Sequence, residues 1–101
     1  MKLLTKQLED RFAQIGSQVE SRDPLVIAKF FNPTGAGTWY AIAYYPETRS
    51  FYGYVSIFGD LNDEWGFFAL DELISYKGRF GLGIERDRYF EERPFSQIKM
   101  C

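Results

Sequence analysis

Leu8, Phe12 and Ile15 recur at spacings of four and three, the period that lines one face of a helix. Thr5 stands where a side chain can cap the first turn, and Gly16 where a left-handed residue can end the last one. The pattern predicts a helix over Thr5–Ile15, with Leu4 placed to staple onto it. Residues 17–24 are polar, and Asp23–Pro24 forces an extended entry into the next segment. The period then changes. Leu25–Phe31, Thr38–Tyr45, Phe51–Phe58 and Trp65–Phe68 are rich in aromatic and β-branched residues and read as strands. Asn32–Gly37 and Pro46–Ser50 separate them as turns, and Gly59–Glu64 as a polar loop. Asp71 is read as the cap of a short helix, Glu72–Lys77, ended by Gly78. The glycines of residues 78–83 predict irregular chain, Ile84–Phe90 a last strand, and Pro94 the start of a tail. The predicted object is one α+β domain over residues 1–101: an antiparallel β-meander of four to five strands, an N-terminal helix packed on one face, and a second short helix.

Alternation sorts the strand residues onto two faces. Setting Tyr45 opposite Phe51 places Trp39, Ala41, Ala43, Phe51, Gly53, Val55 and Ile57 on one face. Tyr40, Ile42, Tyr44, Tyr52, Tyr54, Ser56 and Phe58 fall on the other. The small residues Ala41, Ala43 and Gly53 leave room for the helix on the first face. The second collects four tyrosines, rings with a polar tip that suit half-wet surfaces and interfaces. Two readings of that face stand side by side. It is the outer side of the sheet, partly roofed by the C-terminal segment, or it binds a partner.

Composition sharpens this in one respect. Apolar residues are 46% and charged residues 26%, ordinary for a globular chain, but aromatics reach 19%. A domain this small hides only some of those rings. The net charge of −2 speaks against a strongly electrostatic nucleic-acid binder. The only cysteine, Cys101, permits no internal disulfide and fits a reducing, cytoplasmic setting. The apolar start Met1–Leu4 stops at Thr5–Gln7 without a signal-peptide core. Leu25–Phe31 is interrupted by Lys29 and too short to span a bilayer, so no membrane role is expected.

The chain contains no histidine, which removes the commonest general base and metal ligand. Asp60, Asp63 and Glu64 crowd one loop without the spacing of a calcium-binding EF-hand, and read as a solvated turn. Glu85, Arg86, Asp87 and Arg88 alternate in sign; extended, they put both acids on one face and both arginines on the other. A salt-bridge cluster, with Arg79 or Arg93 as partners, is the default reading, and a carboxylate-dependent enzyme the sharper one. Tyr52–Gly53–Tyr54–Val55–Ser56 copies the middle of the base-stacking pattern of RNA-recognition motifs. Ser50 and Phe51 replace that pattern's basic residue and glycine, and three successive strands are the wrong element order for that fold. No catalytic residue, metal site or cofactor is read from the sequence.

Several strings taken in order carry a family likeness. They are Met1–Lys6, Lys29–Phe31 with Thr38–Tyr40, Phe51–Val55, Glu64–Phe68 with Leu70–Leu73, and Gly81–Asp87 with Tyr89–Phe90. Together they resemble the bacterial family called domain of unknown function 2958, over nearly the whole chain. Gly83 stands where the family pattern has proline. The resemblance implies a cargo protein of plasmids, integrative elements or phage-related islands, and no catalytic assignment. With the residues above it leads to a non-enzymatic protein-binding module, most concretely an anti-CRISPR or anti-restriction inhibitor of a host defence complex. The candidate binding face is Tyr40, Tyr44, Tyr52 and Tyr54 with Lys29, and Glu85–Arg88 is a second candidate surface. A nucleic-acid accessory protein using the same rings with Lys29 and Arg49 is the alternative, an enzyme using Glu85 and Asp87 comes third, and an exposed tyrosine face also allows a homodimer.

Overall fold

The computed structural model describes residues 2–57 and 63–98. The opening period forms α1, Lys6–Ile15. The Leu8 amide donates to Thr5 Oγ1 at 3.2 Å, so Thr5 is its cap. At the far end Gly16 adopts φ 76°, and its N–H donates to the Phe12 carbonyl at 2.8 Å. Phe12 is the helix residue driven into the core; Leu3 and Leu4 are buried in the same cluster, with Leu8 and Ile15 packed against it.

The apolar run 25–31 divides into β1, Leu25–Val26, and β2, Ala28–Phe31. It breaks at Ile27 because Val26 enters one apolar cluster while Ile27 and Ala28 enter the other. Then come β3, Thr38–Tyr45; β4, Ser50–Ser56; β5, Glu64–Ala69; and α2, Leu70–Ser75. Two-residue strands β6, Glu85–Arg86, and β7, Arg93–Pro94, complete the set. The main sheet runs β5-β4-β3-β2-β6 with every pairing antiparallel, and β1 pairs with β7 apart from it. The fold is therefore α+β, with a four-stranded meander, a helix on one face and a short second helix.

Three local expectations change. The strand expected over Ile84–Phe90 contracts to Glu85–Arg86 and pairs back onto β2. Pro94 opens no tail: it sits opposite Leu25, and Phe95–Gln97 forms a 3₁₀ turn behind it. Proline lacks a donor and fits such a marginal strand. Asp23 holds the turn by accepting from the Ser96 amide and hydroxyl at 2.8 and 2.7 Å. Asp71 does not cap α2, whose N-cap position is Ala69. It lies in the first turn, where a carboxylate complements the helix dipole, and it accepts from Arg49 at 2.9–3.2 Å.

The largest change is a β-bulge. Trp39↔Val55, Tyr40↔Tyr54 and Ala41↔Gly53 are in register, and the next pairs are Ala43↔Tyr52 and Tyr44↔Phe51. Ile42 is the extra residue on β3. One extra residue reverses the facing of everything beyond it. Ala43 and Tyr45 therefore move to the tyrosine face, and Tyr44 moves to the helix face. There Tyr44 lies 6.2 Å from the Phe12 ring and 5.0 Å from that of Phe51. Phe51, fully buried, also touches Phe12, Phe30 and Phe68 at centroid distances of 5.2–5.8 Å. The bulge is fastened by Gln18, from the stretch read as a polar connector. Its Nε2 donates to the Leu25 and Ile42 carbonyls, each at 2.8 Å, and its Oε1 accepts from the Leu25 amide at 2.7 Å.

Candidate functional site: an aromatic face and its open edge

The face away from α1 has two zones. Its centre is closed. Tyr40 is 6% exposed and packs with Val26, Ile42 and Ala43. Tyr54 lies beneath Phe95, with centroids 4.9 Å apart, and edge-on to Trp65 at 5.4 Å. Phe90, Phe95 and Ile98 pack against this cluster, so the C-terminal segment roofs the middle of the face.

Its edge is open. Within β5, alternation puts Trp65 and Phe67 on the tyrosine face, opposite Tyr54 and Tyr52, while Phe68 is buried opposite Phe51. Tyr52 stacks on Trp65 with an interplanar angle of 18° and meets Phe67 edge-on at 4.9 Å. Tyr45 reaches Phe67 at 6.0 Å, and its hydroxyl bonds with that of Ser17 at 3.2 Å. Trp65 remains 37% exposed and Phe67 67%. A groove of about 260 Å³ runs beside this row, between the 18–24 connector and the sheet. Val19, Arg22, Pro24, Ile42, Tyr52 and Trp65 line it. A partner would meet apolar rings, one guanidinium and few other charges there, which is the composition of an interface core rather than of ordinary surface.

The residues singled out from sequence thus separate. Tyr52 belongs to the open row; Tyr54 is half-covered, Tyr40 buried, and Tyr44 on the opposite face. Burial among the rings pushes the Tyr44 hydroxyl above its ordinary range. Lys29 is tied in: its Nζ lies 5.9 Å from the Tyr40 ring centroid and 3.9 Å from the Asp87 carboxylate. Trp65, Phe67 and Tyr45 are the members that reading β3 and β4 alone missed. Alternation carried across to Trp65–Phe68 would have found the first two.

The charged string Glu85–Arg88 lies at the other edge of the sheet. Phe31 is opposite Glu85 and Phe30 opposite Arg86, and the Asp87 amide donates to the Lys29 carbonyl at 2.9 Å. Asp87 pairs with Lys29, not with Arg93, which donates to the Glu91 carbonyl and sits 5.7 Å from the Phe90 ring centroid. Arg86, Asp87 and Arg88 line a cleft of about 440 Å³ against Thr5, Leu8 and Arg11. Arg11 is held there by Glu92 at 2.7–3.0 Å. Of the acidic loop, Asp60 lies outside the described residues; Asp63 accepts from the Ser56 hydroxyl at 2.9 Å, and Glu64 is exposed at the start of β5. Among the described residues no group of three or more acids or cysteines is placed to hold a metal, and no helix is long and apolar enough to cross a membrane.

No curated protein and no solved structure matches this chain. A family model does, described as "Protein of unknown function (DUF2958)", over residues 3–98. With nearly every residue of the α+β fold inside that match, the chain belongs to the DUF2958 family.

Proposed function

We propose that this protein is a non-enzymatic protein-binding module of a mobile genetic element, and that it acts as an inhibitor of a bacterial defence complex. The observation that carries the binding reading is the open row Tyr52–Trp65–Phe67 beside the Val19–Arg22 groove. Large exposed rings are costly to leave in water, and Trp and Tyr are the residue types that dominate binding energy when a partner desolvates them. The rigid sheet holds the row in place, so little ordering entropy is lost on binding. The inhibitor reading draws on the small size and on the mobile-element setting that the resemblance implies.

The test is capture from a lysate rich in defence systems, comparing the wild-type chain with a Trp65→Ala/Phe67→Ala double variant. Phe67 is 67% exposed, so a Phe67→Ala single variant, which keeps Trp65 packed on Tyr52, Tyr54 and Phe95, serves as the folded control for the double variant. A defence-complex subunit retained by wild type and lost with the folded variant is the expected result. Equal capture by both proteins overturns the assigned surface. Capture of nucleic acid that washes off with salt replaces the reading with a phosphate-dependent one.

A further inference from the structure

We propose that the outer edge of β5 pairs with β5 of a second copy of this chain, joining two five-stranded sheets into one ten-stranded sheet. The inference rests on the same aromatic row and names what lies beside it. Four observations carry it.

The first is that β5 is an end strand. The sheet order places β4 on one side of Glu64–Ala69 and no strand of the described residues on the other. The second is that, among the described residues, the edge lacks most of the usual protections. Natural edge strands are blunted by lysine, proline, a bulge or extreme shortness. β5 has six residues and an unbroken register from Glu64↔Val55 to Ala69↔Ser50, with no proline, lysine or arginine.

The third is that the strand is self-complementary about Gly66. Directly opposed residues of an antiparallel pair share a face. A two-fold axis through Gly66 sets Gly66 opposite its counterpart, Trp65 opposite Phe67 of the partner, and Phe67 opposite Trp65 of the partner. Both aromatic pairs then lie on the tyrosine face, where such cross-strand pairs stabilise sheets. A methyl group on Gly66 would meet nothing within 4 Å, so the face of the strand is uncrowded at the residue on the axis. The fourth is charge. Glu64 is the only charged residue of the strand. This register keeps the two copies of Glu64 about 13 Å apart, four residues along the strand. An alternative setting Glu64 nearer its counterpart would oppose like charges. The pairing also lays the two aromatic rows side by side, doubling the surface offered to a larger partner.

A single strand-to-strand contact is at the small end of specific interfaces, so the dimer forms in the micromolar range and dissociates on dilution. The experiment is sedimentation velocity from about 5 to about 500 µM, with amide hydrogen exchange at both ends of that range. The mass rises from 11.8 kDa toward twice that value, and amides of residues 64–69 gain protection with concentration. Phe67→Lys weakens dimerisation at least tenfold. Tyr89→Lys, at an 89% exposed ring away from β5, leaves it unchanged. A wild-type chain that stays monomeric throughout overturns the proposal. So does a Phe67→Lys chain that dimerises as wild type does, or a dimer whose β5 amides gain no protection. If the chain is monomeric and β5 amides become protected only in the presence of a captured partner, the edge belongs to that partner; self-pairing then fails while the binding reading stands.

Discussion

Gly53 and Gly66 face each other across β4 and β5, yet the same substitution should have opposite consequences at the two sites. Neither has a positive φ, so alanine is conformationally acceptable at both. A Cβ on Gly53 would collide with the Tyr40 carbonyl oxygen and lie 2.8 Å from its carbon and 3.0 Å from the Ala41 Cα. These are backbone atoms beside the Ile42 bulge and cannot rotate aside. Relief requires β3 and β4 to part, straining their ladder and the packing of the buried Phe51. Overpacking a core with side-chain neighbours costs about 1–3 kcal/mol, and a backbone collision in a central strand belongs at or above the top of that range. Gly53→Ala is therefore expected to cost about 3 kcal/mol or more. At Gly66 the added methyl meets nothing, and removing a glycine from the unfolded chain stabilises by about 0.4–1 kcal/mol. At about 4–8 °C per kcal/mol for a domain of this size, the two variants should differ in Tm by well over about 10 °C. Urea denaturation monitored by tryptophan fluorescence, with m-values compared, measures both. A Gly53→Ala protein within about 1 kcal/mol of wild type, or equal effects at the two sites, would refute the close approach of β3 to β4.

Other expectations come from the same packing. Gln18→Leu strips three bonds from the Leu25 and Ile42 backbone and is expected to destabilise by about 1–3 kcal/mol in thermal unfolding, with exchange rising first around β1 and the bulge. Tyr44→Ala removes a ring packed on Phe12 and Phe51 and is expected to cost about 2–3 kcal/mol, whereas Phe67→Ala leaves stability nearly unchanged. Equal costs in paired melts would show that the bulge does not reverse the facing. Bonding from Ser96 holds the Asp23 carboxyl below its ordinary 3.8, and bonding from Arg49 does the same for Asp71. Because both folded values lie below the unfolded ones, this stabilisation is complete above about pH 4 and lost as pH falls through the folded values. The Ser96 amide should lose exchange protection, relative to its intrinsic rate, on acidification below that point, and Asp23→Ala should abolish this pH dependence because the amide donates to the Asp23 carboxylate itself.

Local rules make much of this molecule legible in its sequence. Thr5, the 8–12–15 spacing and Gly16 define a helix within one turn of chain, because capping and periodicity are settled by neighbours. The meander through β5 is readable for the same reason: aromatic and β-branched runs separated by Pro, Gly and Asn turns. The helix face also emerges from Ala41, which lies in the same buried cluster as Phe12 of α1. Tertiary structure decided the rest. Nothing in Tyr40–Tyr45 announces that Ile42 is an extra residue. The bulge exists because Gln18, 24 positions away, satisfies the carbonyl it frees, and it alone exchanges Tyr44 for Tyr45 on the candidate face. The roof over Tyr40 and Tyr54 depends on Asp23 holding Ser96, a contact spanning 73 positions. Which rings stay in water is set by strand order: Tyr54 lies inside the sheet under Phe95, whereas Phe67 stands on an end strand, with no further strand of the described residues beside it.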